Sequence, residues 1–277
     1  MQRSPKTMRA GAWIAALALM GVAGAAGAQD LSILERMQAE DKAPPKSFEP
    51  TPPPSDPRDF TGVWEVSRFA KTQGDTTPTP QPEFTPMGLA EVKRLADSEA
   101  GGRVVADAGT QCFPHGMPRL TFSPYPIRFT YMPGKIVMLH EVNHNVRIVH
   151  MDRAAPPPGT PLTFLGYTVG HWEGNTLVTV TDHMNDQTRI EANVPRGPRL
   201  KVTERWTKQK NTLGTTDLAV TVAAEDPDFL AKPWVRRLYF AYRSDVERDI
   251  PSEGLVEYSC EENNRNAPGA DHIVTAK

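Results

Sequence analysis

The sequence predicts an all-β fold: one antiparallel barrel with a single short helix and an extended N-terminal arm. Three observations lead there. Beyond residue 100 the chain breaks into short runs rich in β-branched and aromatic residues, punctuated by Pro and Gly turns. Only one segment of the domain combines helical spacing with a helix start signal. Prolines crowd into residues 44–57, ahead of the first strand, and leave that stretch without a core. Composition agrees. The 277 residues are 39% hydrophobic and 23% charged, as in soluble globular proteins. With 31 Lys+Arg against 33 Asp+Glu, the net charge of -2 excludes a strongly basic nucleic-acid binder. Two cysteines exclude a disulfide-dense miniprotein and a cysteine-rich zinc module.

Residues 1–28 read as a secretory signal peptide. Arg3, Lys6 and Arg9 form a positive start, Ala12–Met20 an apolar run, and Ala26-Gly27-Ala28 a small-residue cleavage site. The apolar run is shorter than the ~20 residues that span a bilayer, so no stable membrane insertion is expected after cleavage. The expected location is periplasmic or secreted. In that oxidising setting an even cysteine count predicts a disulfide between Cys112 and Cys260. Residues 29–58 form an arm, in which Leu31, Leu34 and Met37 share a helical face ahead of the proline linker.

The barrel domain is expected over 59–265, followed by a tail at 266–277. Gly62–Phe69 is the first strand. Residues 85–98 form the helix, with Thr85 as N-cap, Pro86 at the first helical position, and Leu89, Val92 and Leu95 at helical spacing. Gly101-Gly102 stops it. The remaining strands are expected at Ile127–Met132, Lys135–Val142, Val146–Met151, Thr163–His171, Thr176–Thr181, Arg199–Thr207, Asp217–Ala223, Val235–Tyr242 and Leu255–Cys260. Trp172-Glu173-Gly174-Asn175 reads as a hairpin turn, with Gly174 and Asn175 in unusual backbone angles. A barrel of about eight to ten strands can hold one small ligand.

Two features carry a resemblance. Gly62-Val63-Trp64 is similar to the G-x-W that opens the lipocalin-like (calycin) barrels, where the Trp plugs one end. Gly166 to Val178 (GYTVGHWEGNTLV) resembles the G-x-S-x-G-x-W-E-G-D-T-L-V-V signature of a large group of secreted bacterial proteins. The resemblance extends to Cys112–Arg119, to the Glu141/Arg147 strand pair, to Thr203-Glu204-Arg205-Trp206 and to Glu257–Asn263. It departs at Asn175 and Val180. It implies a lipocalin-like barrel and very little about function.

Six of seven histidines fall between residues 115 and 183, most densely in His140-Glu141-Val142-Asn143-His144-Asn145-Val146-Arg147-Ile148-Val149-His150. A turn at Asn143–Asn145 would make this a hairpin and bring Glu141 to Arg147. That pair is either a cross-strand ion pair or an acid–base set. In the second case Glu141 is the base, His140 or His150 the proton partner, and Arg147 the group that orients Glu141 or an oxyanion. The expected ligand contacts are His115, Arg119, Tyr125, Tyr131, His144, Tyr167 and His171. No H-E-x-x-H or standard zinc spacing occurs, so no metal is expected. No phosphate-cradling Gly-rich loop occurs either, and no cofactor is expected. The partner read from the sequence is a small apolar or aromatic molecule. The expected activity is cofactor-independent elimination, hydration or isomerisation of it. A non-catalytic carrier of a hydrophobic molecule and an interaction protein using the proline arm remain alternatives.

Overall fold

Nine strands close into one barrel in strict chain order. They are β1 (Gly62–Val66), β2 (Ile127–Met132), β3 (Lys135–His140), β4 (Asn145–His150), β5 (Tyr167–Glu173), β6 (Thr176–Asp182), β7 (Lys201–Lys210), β8 (Thr216–Glu225) and β9 (Trp234–Tyr242). Closure runs through Trp64↔Tyr242 between β1 and β9. This computed structural model describes residues 51–67, 80–101, 112–191, 193–245 and 255–256. The expected signal peptide, the helical arm, Cys260 with most of the strand expected at Leu255–Cys260, and the tail lie outside the described residues. All described residues belong to the compact unit Pro50–Lys277.

The all-β expectation holds, with one departure in polarity. Every neighbouring pair is antiparallel except β4 and β5, which run parallel through Val149↔Thr168 and His150↔Val169. The connection at 151–166 carries the chain back along the barrel, so β5 enters from the same end as β4. A parallel partner demands such a long crossover. The strand expected from Thr163 therefore starts only at Tyr167, after Gly166 turns with a φ of 69°.

Helix α1 (Pro86–Ala100) starts as expected, its Gly88 N–H donating to Thr85 Oγ1 at 3.0 Å. Of its apolar stripe only Leu95 is buried, and Leu89 is exposed. A second helix, α2 (Arg119–Phe122), is too short to leave a periodic signal in the sequence. The two-residue β5–β6 turn forms where expected, but only Gly174 takes a positive φ, and Asn175 does not.

Strand alternation fills the barrel. Ile127 and Phe129, Ile136 and Met138, Leu218 and Val220 all point inward, as period two dictates. Edge-on aromatic contacts link Phe129 to Trp206 at 5.6 Å, and Trp206 lies 5.7 Å from Phe240. Trp64 is fully buried, donates from Nε1 to the Phe60 carbonyl at 2.8 Å, and meets Tyr242 at 5.1 Å. Trp172 packs on Phe60 at 5.5 Å.

Candidate functional site

The β3–β4 hairpin organises the polar interior. His140 pairs with Asn145, so residues 141–144 make the turn, which was expected at 143–145. Val142–His144 form a 3₁₀ turn in which Asn143 and His144 adopt φ values of 53° and 47°. Asn143 Nδ2 donates to the Phe113 carbonyl at 3.2 Å and ties down the loop that begins at Cys112.

From Asn145 onward, alternation turns Asn145, Arg147 and Val149 inward and Val146 and Ile148 outward. Arg147 is therefore opposite Met138 inside the barrel. Its partner there is Glu204 of β7, bonded through Nη2; it is not Glu141. Both side chains of this pair are essentially inaccessible to solvent. Arg147 also donates from Nε to Thr168 Oγ1 at 3.2 Å and from Nη2 to Thr181 Oγ1 at 2.9 Å. Glu204 accepts from Thr121 at 2.6 Å and Thr179 at 2.8 Å. A buried charge pair is tolerable only when its remaining polar groups are so satisfied. One group has capacity to spare: among the described residues Arg147 Nη1 meets only the Met138 sulfur, at 3.9 Å.

Glu141 lies in the turn, buried, with its Oε2 accepting the Val256 N–H at 3.2 Å. Burial raises its carboxyl pKa, against the opposing effects of that hydrogen bond and of His144. The expected Glu141/Arg147 acid–base pair is thus not formed. Strand alternation sends Arg147 into the barrel, while Glu141 has already left the ladder. His140 is also interior. Burial first, then the Arg147 charge, lower its pKa to about 3, so it is a neutral imidazole at pH 7. Its Nε2 has no hydrogen-bond partner among the described residues.

Because β4 and β5 pair only at Val149 and His150, the start of β4 and the segment 163–167 diverge. Between them opens a cleft of about 380 Å³. Arg147, Asn145, His150, Phe164, Leu165 and Tyr167 are among its walls, with Pro114 from the overlying loop. Three expected residues, Arg147, His150 and Tyr167, therefore do come together. The His150 and Tyr167 rings stack with centroids 4.4 Å apart and planes 2° from parallel. Burial, then Arg153 and Lys135, lower the His150 pKa. Arg153 Nη1 donates to the Tyr167 hydroxyl at 3.2 Å.

The other expected ligand contacts do not line this cleft. His171 is exposed and bonded to Glu173 at 3.1 Å, and His144 is exposed on the turn. Tyr131 staples the chain entering β1: its hydroxyl donates to the Arg58 carbonyl at 2.6 Å and accepts from the Phe60 N–H at 3.0 Å. Burial, the largest cause, raises its pKa to about 12. Tyr125 packs against the core, and His115 and Arg119 are half-buried in the loop and α2. Among the described residues no group of three or more His, Cys, Asp or Glu side chains is arranged to hold a metal ion.

Glu204 and the four threonines escaped the site reading. A signal for Glu204 existed: on β7, Val202, Glu204 and Trp206 share one face, and a carboxylate between two apolar neighbours needs a buried cation. The fold and site define a closed nine-stranded barrel, consistent with a lipocalin-like barrel, with an ion pair in its interior and a lateral cleft at its parallel seam. Comparison with known proteins adds no relative: no family model, curated protein or solved structure matches this chain.

Proposed function

We propose that the protein is an exported binding protein that holds a small, largely apolar molecule in the seam cleft. The observation that carries this reading is the cleft itself, whose walls join the apolar Phe164 and Leu165 to the polar edges of His150 and Tyr167. Small-molecule sites commonly combine apolar walls with a few such polar groups. The surroundings are apolar as well. Val146, Ile148, Leu162 and Phe113 are exposed, and Phe113 stacks on Phe164 with centroids 5.6 Å apart. The reading takes the chain as a lipocalin-like barrel and as one of the secreted bacterial group whose motif it resembles.

Binding of N-phenyl-1-naphthylamine, an apolar aromatic fluorophore, tests it on the mature chain. Ile148→Trp, which narrows the cleft from an exposed position, should weaken binding by about tenfold or more. Unchanged affinity in both Ile148→Trp and Tyr167→Ala would refute the site. A second reading, acid–base chemistry on the bound molecule, is favoured by one observation: an imidazole, His150, stacked on Tyr167 in the cleft wall. In it His150 takes the role of base expected of Glu141. His150→Gln should then retain probe binding while abolishing turnover. Export further implies the Cys112–Cys260 bond. Thiol titration of the unreduced, unfolded chain should find no free thiol, and two free thiols would exclude it.

A further inference from the structure

Away from the seam cleft, a second set of polar groups is buried without partners. Arg196, in the β6–β7 connection, is 6% exposed. Its Nη1 donates to the Met117 carbonyl at 3.2 Å. Its Nε and Nη2 are buried and have no hydrogen-bond partner among the described residues. The Thr188 hydroxyl of the same connection is likewise buried and unpartnered. The two side chains lie against neighbouring residues: Arg196 bonds the Met117 carbonyl, and a Cβ built on Gly116 would stand 2.5 Å from Thr188 Oγ1.

Such groups are expensive. A guanidinium taken out of water without a counter-charge is among the costliest things a fold can bury. Burial lowers the Arg196 pKa to about 10, opposed by Asp186 and Asp226. Neither acid makes an ion pair with it. Asp186 is exposed. Asp226 is already engaged: Oδ1 accepts from the N–H groups of Asp228 at 3.1 Å and Phe229 at 3.3 Å, and Oδ2 from Gly197 at 2.5 Å.

The unpartnered edge has a definite shape. Nε and Nη2 are the two nitrogens by which Arg94, Arg153, Arg199 and Arg243 each grip a carboxylate, on Glu91, Asp152, Asp228 and Asp245 respectively. Planar, two-point pairing of this kind is what a guanidinium offers and a lysine does not. We infer that Arg196 and Thr188 form a carboxylate-binding site beneath residues 116–117. Arg196 takes both oxygens through Nε and Nη2, and the Thr188 hydroxyl adds a third donor. Neither residue lines the seam cleft, so this site stands independently of the binding reading given above.

Thermal unfolding of the mature chain in sodium formate or acetate, against sodium chloride at equal ionic strength, tests the inference. Wild type should show a saturable rise in Tm on the order of a few degrees. Arg196→Met should lose the response while keeping or exceeding the wild-type Tm in chloride, since it removes a buried charge that has no ion-pair partner among the described residues. Thr188→Val should weaken it. Should the Met variant fail to fold, Arg196→Lys keeps the charge but not the fork, and should need about tenfold more carboxylate. A wild type that responds no more to formate than to chloride would overturn the assignment. So would an equal response in Arg196→Met or Arg196→Lys. An equal rise with sulfate would overturn the planar carboxylate as the ligand class.

Discussion

The two flanks of the barrel differ in how their strands meet. On one flank β7 and β8 pair along their whole length, from Lys201↔Glu225 to Lys210↔Thr216, and β9 continues the ladder from Trp234 to Ala241. The interior there is mainly apolar, with Leu218, Val220, Val222 and Phe240 buried and Glu204 of β7 as the charged exception. On the other flank β4 and β5 share only Val149↔Thr168 and His150↔Val169. There the wall splits, and Arg147 and Thr168 replace aliphatic side chains on the inner face. A continuous ladder closes the surface with main-chain bonds alone. A short parallel one leaves side chains to do so, and leaves a cleft.

The two flanks meet in the Arg147–Glu204 pair, and that contact gives the largest expected effect. Glu204→Gln keeps the shape but leaves Arg147 without its counter-charge, and should cost about 3–5 kcal/mol in urea unfolding. Replacing both partners with apolar residues, Arg147→Met with Glu204→Leu, should recover most of that loss. A double variant as unstable as the single would show that the polar interior is needed to hold the flanks together.

Next in size is the packing contrast. Leu218→Ala on the closed flank should destabilise by about 2–5 kcal/mol. Val146→Ala, exposed beside the seam, should stay within about 0.5 kcal/mol. Similar losses at both positions, read by the same unfolding curves, would erase the contrast.

The smallest near neutral pH is the proton linkage of His140. Its folded pKa, about 3, lies below the ordinary value of 6.5. Between those values the unfolded chain binds the extra proton, so stability is full above pH 6.5 and falls as the pH drops through that window. The slope approaches about 1.4 kcal/mol per pH unit. His140→Leu should flatten the acid limb by that one proton. An unchanged limb would mean that the imidazole is not held neutral in the fold.

Local signals were legible in the sequence, and long-range partners were not. Ile127–Met132 forms a strand with the bounds its alternation implies, and the Thr85 hydroxyl caps α1 as its position before Pro86 suggests. Those features depend on a few neighbouring residues. Arg147 was expected to meet Glu141, but its partner is Glu204. Glu141 is near in sequence, whereas Glu204 is 57 residues away and reaches Arg147 only through barrel closure. The parallel β4–β5 pairing was missed for the same reason. It depends on where the connection at 151–166 returns the chain, and Pro156-Pro157-Pro158-Gly159 marks a turn without giving its direction.

Amide hydrogen exchange with and without N-phenyl-1-naphthylamine addresses the seam cleft most directly, since it reads both flanks in one experiment. The probe should slow exchange at residues 145–148 and 163–168 and leave β7, β8 and β9 unchanged. Protection along β7–β9 with none at the seam would contradict the cleft as the binding site.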